Sequence, residues 1–280
     1  MRLLRILILI VFLITSGLFG VHEVRHFADL DDKAPVLKID HDEIALSVEA
    51  GEDEYLKGVT ATDEHDGDVT DSIVIAGKSN FIEEGLIRVD YAAFDRHNNV
   101  GTASRNIRFT DYSSPRFASN QPFLLRKSTN YNFDFIHASD VVDGDITNKV
   151  KVMYTSLYSA TDESPISLEA TNSLGDIEKL DLNVRILTPQ EYNQFRPALW
   201  EYIVYTGVGQ EIEPWNYVAG VWQSGNPYSF EDTGFDYENI SVDASAVDYW
   251  TPGVYEVAYY FDAPNREQTA TYLNIVVRDE

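Results

Sequence analysis

A ten-residue stretch of this chain returns later without a gap. Ala61-Thr62-Asp63-Glu64-His65-Asp66-Gly67-Asp68-Val69-Thr70 reappears as Ala138-Ser139-Asp140-Val141-Val142-Asp143-Gly144-Asp145-Ile146-Thr147. The register persists beyond the motif. Val89, Tyr91 and Ala93 fall on Ile166, Leu168 and Ala170, and Ile107 and Phe109 fall on Val184 and Ile186. A fixed period makes the chain an array, in which each unit is one supersecondary building block. No catalytic group repeats with the unit.

Within the unit, apolar and polar residues alternate. Val89, Tyr91 and Ala93 are apolar around Asp90 and Ala92, and Ile166, Leu168 and Ala170 alternate with Ser167 and Glu169. Successive side chains of a strand point to opposite faces, so this pattern buries one face and wets the other. Turn residues punctuate the stretches between: Asp66-Gly67, Asp143-Gly144, Asn98-Asn99 and Ser173 with Gly175. After residue 25 no segment sustains an apolar period of 3.6. The fold class expected is all-β, built of β-sandwiches. With no cysteine, each sandwich stands on its hydrophobic core alone.

A third unit shows through its second half. Gly85, Val89, Tyr91, Ile107, Phe109 and Asp111 fall on Gly253, Val257, Tyr259, Ile275, Val277 and Asp279. The stretch from Leu199 to Val242 lacks the Asp-Gly-Asp turn and reads as a diverged or expanded sheet. Pro115 and Pro189 follow the last strands of two units, where proline blocks continued pairing. These joints divide the chain into residues 34–112, 113–189 and 190–280.

From Leu56 to Phe109 the pattern runs Gly-Val-Thr-Ala-x-Asp-x-x-Asp-Gly-Asp-Val-Thr, then Val-x-Tyr-x-Ala-x-Asp, then Ile-x-Phe. This resembles the bacterial immunoglobulin-like domain first named from pesticidal crystal proteins and found in strings on bacterial surface proteins. The second unit carries the central motif with Asn172 where the first has Asp95, and the third matches only in its last strands. The resemblance implies a tandem array of three Ig-like sandwiches serving as spacers or adhesion modules, with no enzyme activity and no family-wide ligand.

The N-terminus places Arg2 and Arg5 before an apolar run from Ile6 to Phe19, with Thr15, Ser16 and Gly17 near its end. This reads as an export signal. Counting Leu3, Leu4, Gly20 and Val21, the run approaches the roughly 20 residues of a full span. Residues 1–21 are therefore a signal peptide or a membrane anchor, with the anchor favoured and the arginines kept inside. The alternative is a buried helix of a cytosolic protein, but the run shows no polar face. Residues 22–33 read as a polar stalk, or as a continuation of the helix. Without cysteine there is no lipid-attachment site, so attachment to a cell falls to the N-terminal segment.

The net charge of −25 argues against nucleic acid and anionic lipid surfaces as partners, because phosphate contacts need clustered Lys and Arg. It suits an exported soluble domain, and it suits cations. Asp63, Glu64, Asp66 and Asp68 crowd one turn, and Asp140, Asp143 and Asp145 the next. Calcium takes six to eight oxygen ligands, so these seven acids are the candidate metal ligands. The simpler reading is that they cap their own turns around Gly67 and Gly144, with Thr70 and Thr147 closing the loops by hydrogen bonding. No cofactor is expected beyond such a calcium ion.

All four tryptophans and most of the tyrosines lie after residue 190. Trp215, Trp222 and Tyr228 occupy a Gly/Asn/Pro-containing stretch suited to a binding loop, and Tyr260 is on an outward register. These four are candidate ligand-binding residues, against the alternative that large rings fill a diverged core. Tyr255, Tyr259 and Phe261 are expected inside. The six histidines are scattered, and no His-Glu-x-x-His, Gly-x-Ser-x-Gly or phosphate loop occurs. The expectation is an exported, cell-surface protein acting in adhesion or as a spacer through an unidentified protein or glycan. A carbohydrate-binding accessory protein using residues 190–280 is the alternative.

Overall fold

The computed structural model describes residues 2–28, 32–128, 130–154, 163–264 and 266–279, and within the N-terminal helix the side chains of residues 8–21. That helix runs Arg2–Ala28. Its described apolar side chains, from Ile8 to Val21, are exposed. Among the described residues no helix is long and apolar enough to cross a membrane. The backbone of the expected stalk continues the helix to Ala28, and residues 29–31 lie outside the described residues. Among the described residues every later helix spans five residues or fewer, in keeping with the missing 3.6 period.

The chain divides into two compact units. The first comprises residues 1–46, 50–79 and 86–108. Its strands are β1 (Val36–Ile39), β2 (Glu43–Leu46), β3 (Val59–Asp63), β4 (Gly67–Asp68), β5 (Val74–Lys78), β6 (Leu86–Phe94) and β7 (Val100–Phe109). They form two sheets in the orders β1-β3-β4 and β2-β7-β6-β5. Val89, Tyr91, Ala93 and Ile107 are fully buried on the inward register, as the alternation predicts.

One charged residue joins that core. Arg105 pairs with Val89 across the β6–β7 ladder and is 2% exposed. Its guanidinium donates to the Tyr91 hydroxyl (3.0 Å) and to the carbonyls of Tyr55 and Lys57 (2.5 and 2.9 Å), and the Tyr91 hydroxyl donates to the Tyr55 carbonyl (2.8 Å). Its Nη1 is buried without a hydrogen-bond partner and lies 3.5 Å from Asp40 Oδ1, so the charge is balanced by the bonds of Nε and Nη2 and by that carboxylate.

The second unit comprises residues 47–49, 80–85 and 109–280. It contains β8 (Arg116–Ser119), β9 (Leu124–Arg126), β10 (Ile136–Asp140), β11 (Gly144–Asp145), β12 (Lys151–Tyr154), β13 (Glu163–Thr171) and β14 (Ile177–Leu187). Next come β15 (Arg196–Leu199), β16 (Ile203–Gly207), β17 (Val218–Gln223), β18 (Asn226–Tyr228), β19 (Ile240–Asp243), β20 (Gly253–Phe261) and β21 (Thr269–Arg278). Four sheets result: β8-β10-β11, β9-β14-β13-β12, β15-β17-β18 and β16-β21-β20-β19. Read in chain order, these are the two sheet patterns of the first unit, each repeated twice.

The stretch that looked diverged therefore keeps the strand order of the other repeats, with β15 to β19 in the places of β1 to β5. Three hairpins share one register. Tyr91 faces Ala103, Leu168 faces Leu180 and Tyr259 faces Thr271, while Val89, Ile166 and Val257 face Arg105, Leu182 and Leu273. A one-residue slip would turn every inward side chain out, so a shared register means a shared core pattern. Tyr259 and Phe261 are buried as expected, and Tyr255 is half-buried.

The second and third repeats share one hydrophobic core, from Phe117 through Leu168 and Val184 to Tyr202, Tyr259 and Ile275. The backbone N–H of Tyr202 donates to the Ser119 carbonyl (3.1 Å), and the Phe117 N–H donates to the Tyr205 hydroxyl (2.9 Å). Pro189 thus marks a change of sandwich inside one compact unit.

Candidate functional site

The two Asp-Gly-Asp turns are built alike. Asp63 Oδ1 accepts from the N–H groups of His65 (2.7 Å) and Asp66 (2.9 Å), and Asp140 Oδ1 accepts from those of Val142 (2.8 Å) and Asp143 (3.0 Å). Asp68 Oδ1 accepts from Thr70 N–H and Asp145 Oδ1 from Thr147 N–H, at 3.0 and 2.9 Å. The Thr70 hydroxyl meets both the N–H and the carbonyl of Ala61, as Thr147 does with Ala138. Gly67 and Gly144 sit at φ +74° and +70°, a region few other residues enter cheaply. The bonds at Asp63, Asp68 and Asp145 favour their charged forms. The Asp66 N–H holds Asp63 below the usual range against the pull of its burial. The Thr70 hydroxyl and N–H do so for Asp68, and the Thr147 N–H and hydroxyl for Asp145.

A second turn, between β6 and β7, meets the first. Asp66 Oδ2 accepts from the Arg96 N–H (2.7 Å), and Asp143 Oδ2 from the Ser173 N–H (2.7 Å). Asp95 Oδ1 accepts from the N–H groups of His97 and Asn99, both at 2.8 Å, and its Oδ2 accepts from the Asn99 side-chain amide (2.7 Å). Burial pushes the Asp95 carboxyl up, but the Asn99 amide and these N–H groups outweigh it and leave it below the ordinary range. The ligand atoms of Asp66, Asp95 and His97 lie within 4.8 Å of one another, close enough to share one ion.

Asp95 and His97 were not among the sequence candidates, although Asp95 closes the Val-x-Tyr-x-Ala-x-Asp pattern and differs from Asn172 in the second repeat. Glu64 is taken by Lys33. Asp143 is paired with Lys149 at 2.8 Å, which helps to hold its carboxyl below the usual range against burial.

The aromatic candidates divide. Trp222 is 5% exposed on β17, packed as core rather than presented on a binding loop. The alternation of β17 breaks over Gly220-Val221-Trp222, all three buried, so Trp222 lies on a covered strand and not on the loop expected for it. Trp215 and Tyr228 are exposed, at 42% and 41%, and Tyr260 is half-buried. Among the described residues the most exposed aromatic rings are Trp200 and Trp250, which the sequence did not mark as candidates. Trp250 lies against the Gly209 turn, where a Cβ would come within 3.0 Å of its ring.

Residues 41–109 match the family described as "Bacterial surface protein, Ig-like domain". The first sandwich is thus an Ig-like domain of the bacterial surface-protein kind, carried in a chain of repeated sandwiches. No curated protein matches the sequence. Among solved structures, the CBM51-2 and INT domains of Clostridium perfringens ZmpB, in complex with GlcNAc, are 19% identical over 55% of this chain and 42% of that one, with a TM-score of 0.23. The M60 catalytic domain of the same protein with CBM51-1 and CBM51-2 is 10% identical over 90% and 31%, with a TM-score of 0.22. Human CDH23 EC21-23 is 12% identical over 87% and 100%, with a TM-score of 0.20. This chain spans less than half of either Clostridium perfringens structure, and similarity at these scores carries nothing about function from them.

Proposed function

We propose that this is an exported bacterial surface protein whose Ig-like repeats act as a spacer or adhesion module, attached by its N-terminal helix. The observation that carries the reading is the match of residues 41–109 to a bacterial surface-protein domain, in a chain where the same hairpin register recurs three times. Repetition of one sandwich extends a chain from its attachment point without needing a cleft. Two features support attachment at the N-terminus. The sequence from Leu3 to Val21 is apolar throughout except for Arg5, Thr15 and Ser16, and the described apolar side chains of the helix are exposed. Such a surface in water calls for a lipid or protein partner. In this reading the protein is not an enzyme and its partner is a surface protein or glycan. Protease added to intact cells should remove the chain beyond residue 32 while cytoplasmic proteins survive. Resistance on intact cells with digestion after lysis overturns the reading.

The exposure of Trp200, Trp215, Tyr228 and Trp250 favours a second reading, in which residues 190–280 bind carbohydrate. Rings in water can stack on sugar faces and anchor partners. A glycan array probed with the full chain and with Trp215→Ala decides it, because specific signal lost in the variant is the expected result.

A further inference from the structure

Where the first repeat has Asp95 the second has Asn172, and in the first repeat one buried carboxylate oxygen is left without a hydrogen-bond partner. In the second repeat the Asn172 amide donates to Asp140 Oδ2 at 3.2 Å. Its Oδ1 accepts from the N–H groups of Leu174 (3.0 Å) and Asp176 (2.9 Å). Asp95 Oδ1 takes the matching bonds from His97 and Asn99, so Asp95 Oδ2 stands where the Asn172 amide nitrogen stands. A carboxylate oxygen cannot donate. Asp63 is 8% exposed, and its Oδ2 is buried with no hydrogen-bond partner. By equivalence with Asp140 it points at Asp95, whose charge it feels.

The second repeat also carries its own cation, the Lys149 ammonium on Asp143. The equivalent position in the first repeat is Ser72, whose hydroxyl donates to the Val69 carbonyl (2.7 Å). The Arg96 guanidinium is mostly solvated and no closer than 3.7 Å to Asp66. Asp66 and Asp95 therefore converge with His97 in the first repeat, and Asp63, which feels the Asp95 charge, adds an orphaned buried oxygen. Leaving a buried acceptor unsatisfied is costly, most of all when it is charged.

We propose that Asp63, Asp66 and Asp95 hold one hard divalent cation, calcium by its donor set, and that the second repeat holds none because Asn172 and Lys149 already supply a donor and a positive charge. The proposed donors, buried Asp63 and Asp95 with half-buried Asp66, are all carboxylates, which suit calcium, and the nitrogen beside Asp66 and Asp95 belongs to exposed His97. Solvent and backbone carbonyls complete the shell. With three carboxylates, affinity on the order of 10⁻⁴–10⁻³ M is expected, the range of extracellular calcium modules.

The test is calorimetric titration of the full chain with calcium chloride after chelator treatment, paired with thermal unfolding. One ion per chain is expected, with a rise in the melting temperature. Asp95→Asn recreates the Asn172 arrangement, so it should abolish calcium uptake while keeping or raising the calcium-free melting temperature. Asp63→Asn keeps the Oδ1 cap and should weaken binding at least about tenfold, the loss of one charged ligand. Asp140→Asn should bind calcium as the parent does. No uptake at millimolar calcium, two ions per chain, or undiminished binding by Asp95→Asn overturns the proposal. Zinc binding that is lost in His97→Ala, with no calcium binding, overturns the choice of a hard cation.

Discussion

Arg185 on β14 grips Glu256 on β20 with two hydrogen bonds, of 3.1 and 2.7 Å, while its guanidinium lies 3.3 Å from the centre of the Tyr272 ring. A bidentate pair of this kind fixes direction as well as distance. It ties the second repeat to the third where their shared core reaches the surface. Arg185→Met should therefore cost about 1–3 kcal/mol, the range for hydrogen bonds to charged groups. Urea unfolding followed by tryptophan fluorescence, whose probes all lie in the third repeat, measures it. A cost below about 0.5 kcal/mol would show that the pair adds nothing to the joint.

Leu168 is fully buried and faces Leu180 in the register that places Tyr91 opposite Ala103. Leu168→Ala should cost about 2–5 kcal/mol through lost burial and a residual cavity. The midpoint of chemical denaturation reads this directly. A loss under about 1 kcal/mol would contradict the packing of that hairpin.

Arg105 holds the Tyr55 and Lys57 carbonyls and the Tyr91 hydroxyl inside the first sandwich. Arg105→Met keeps much of the volume and removes the donors. It should cost about 3–5 kcal/mol, because the partners stay buried without the charge they were arranged around. Tyr91→Phe, which removes one hydroxyl from that network, should cost about 0.5–1.5 kcal/mol. If both variants unfold at the parental urea concentration, the network is not structural.

Stability should fall at high pH. Burial raises the Tyr205 hydroxyl to about 12, against an ordinary 10.0, and it raises Tyr202 and Tyr259 as well. The folded chain then holds these protons more tightly than the unfolded chain. Their contribution is complete below pH 10.0 and is lost as the pH climbs to about 12. Melting temperatures taken across that window, with phenolate absorbance followed in parallel, should decline together with ionisation. Tyr205→Phe should make the decline shallower, and an unchanged slope would assign it to other groups.

The all-β class, the repeated unit, the inward positions Tyr91, Leu168 and Tyr259, and the self-capping of Asp63, Asp68, Asp140 and Asp145 could be read from the chain alone. Strand alternation has a period of two, and an aspartate caps an N–H two or three residues away, so both are recorded among adjacent residues. Other features depended on which segments meet. The third repeat keeps its strand order although its loops differ, since sheet order follows from core packing rather than loop sequence. Arg105 stands at the inward position that Leu182 and Leu273 fill in the other hairpins, and only carbonyls brought from the Tyr55–Lys57 segment make a charge acceptable there. Trp222 is buried because three successive β17 residues face covered surroundings, a consequence of neighbours far along the chain. Asp63 and Asp95 are separated in sequence by three strands, β4 to β6, and neither reveals that it faces the other. Local chemistry therefore determined the elements and their caps. Tertiary structure decided which charges are matched and which one is left facing another of its own sign, because that balance exists only once distant turns are packed together and water is excluded between them.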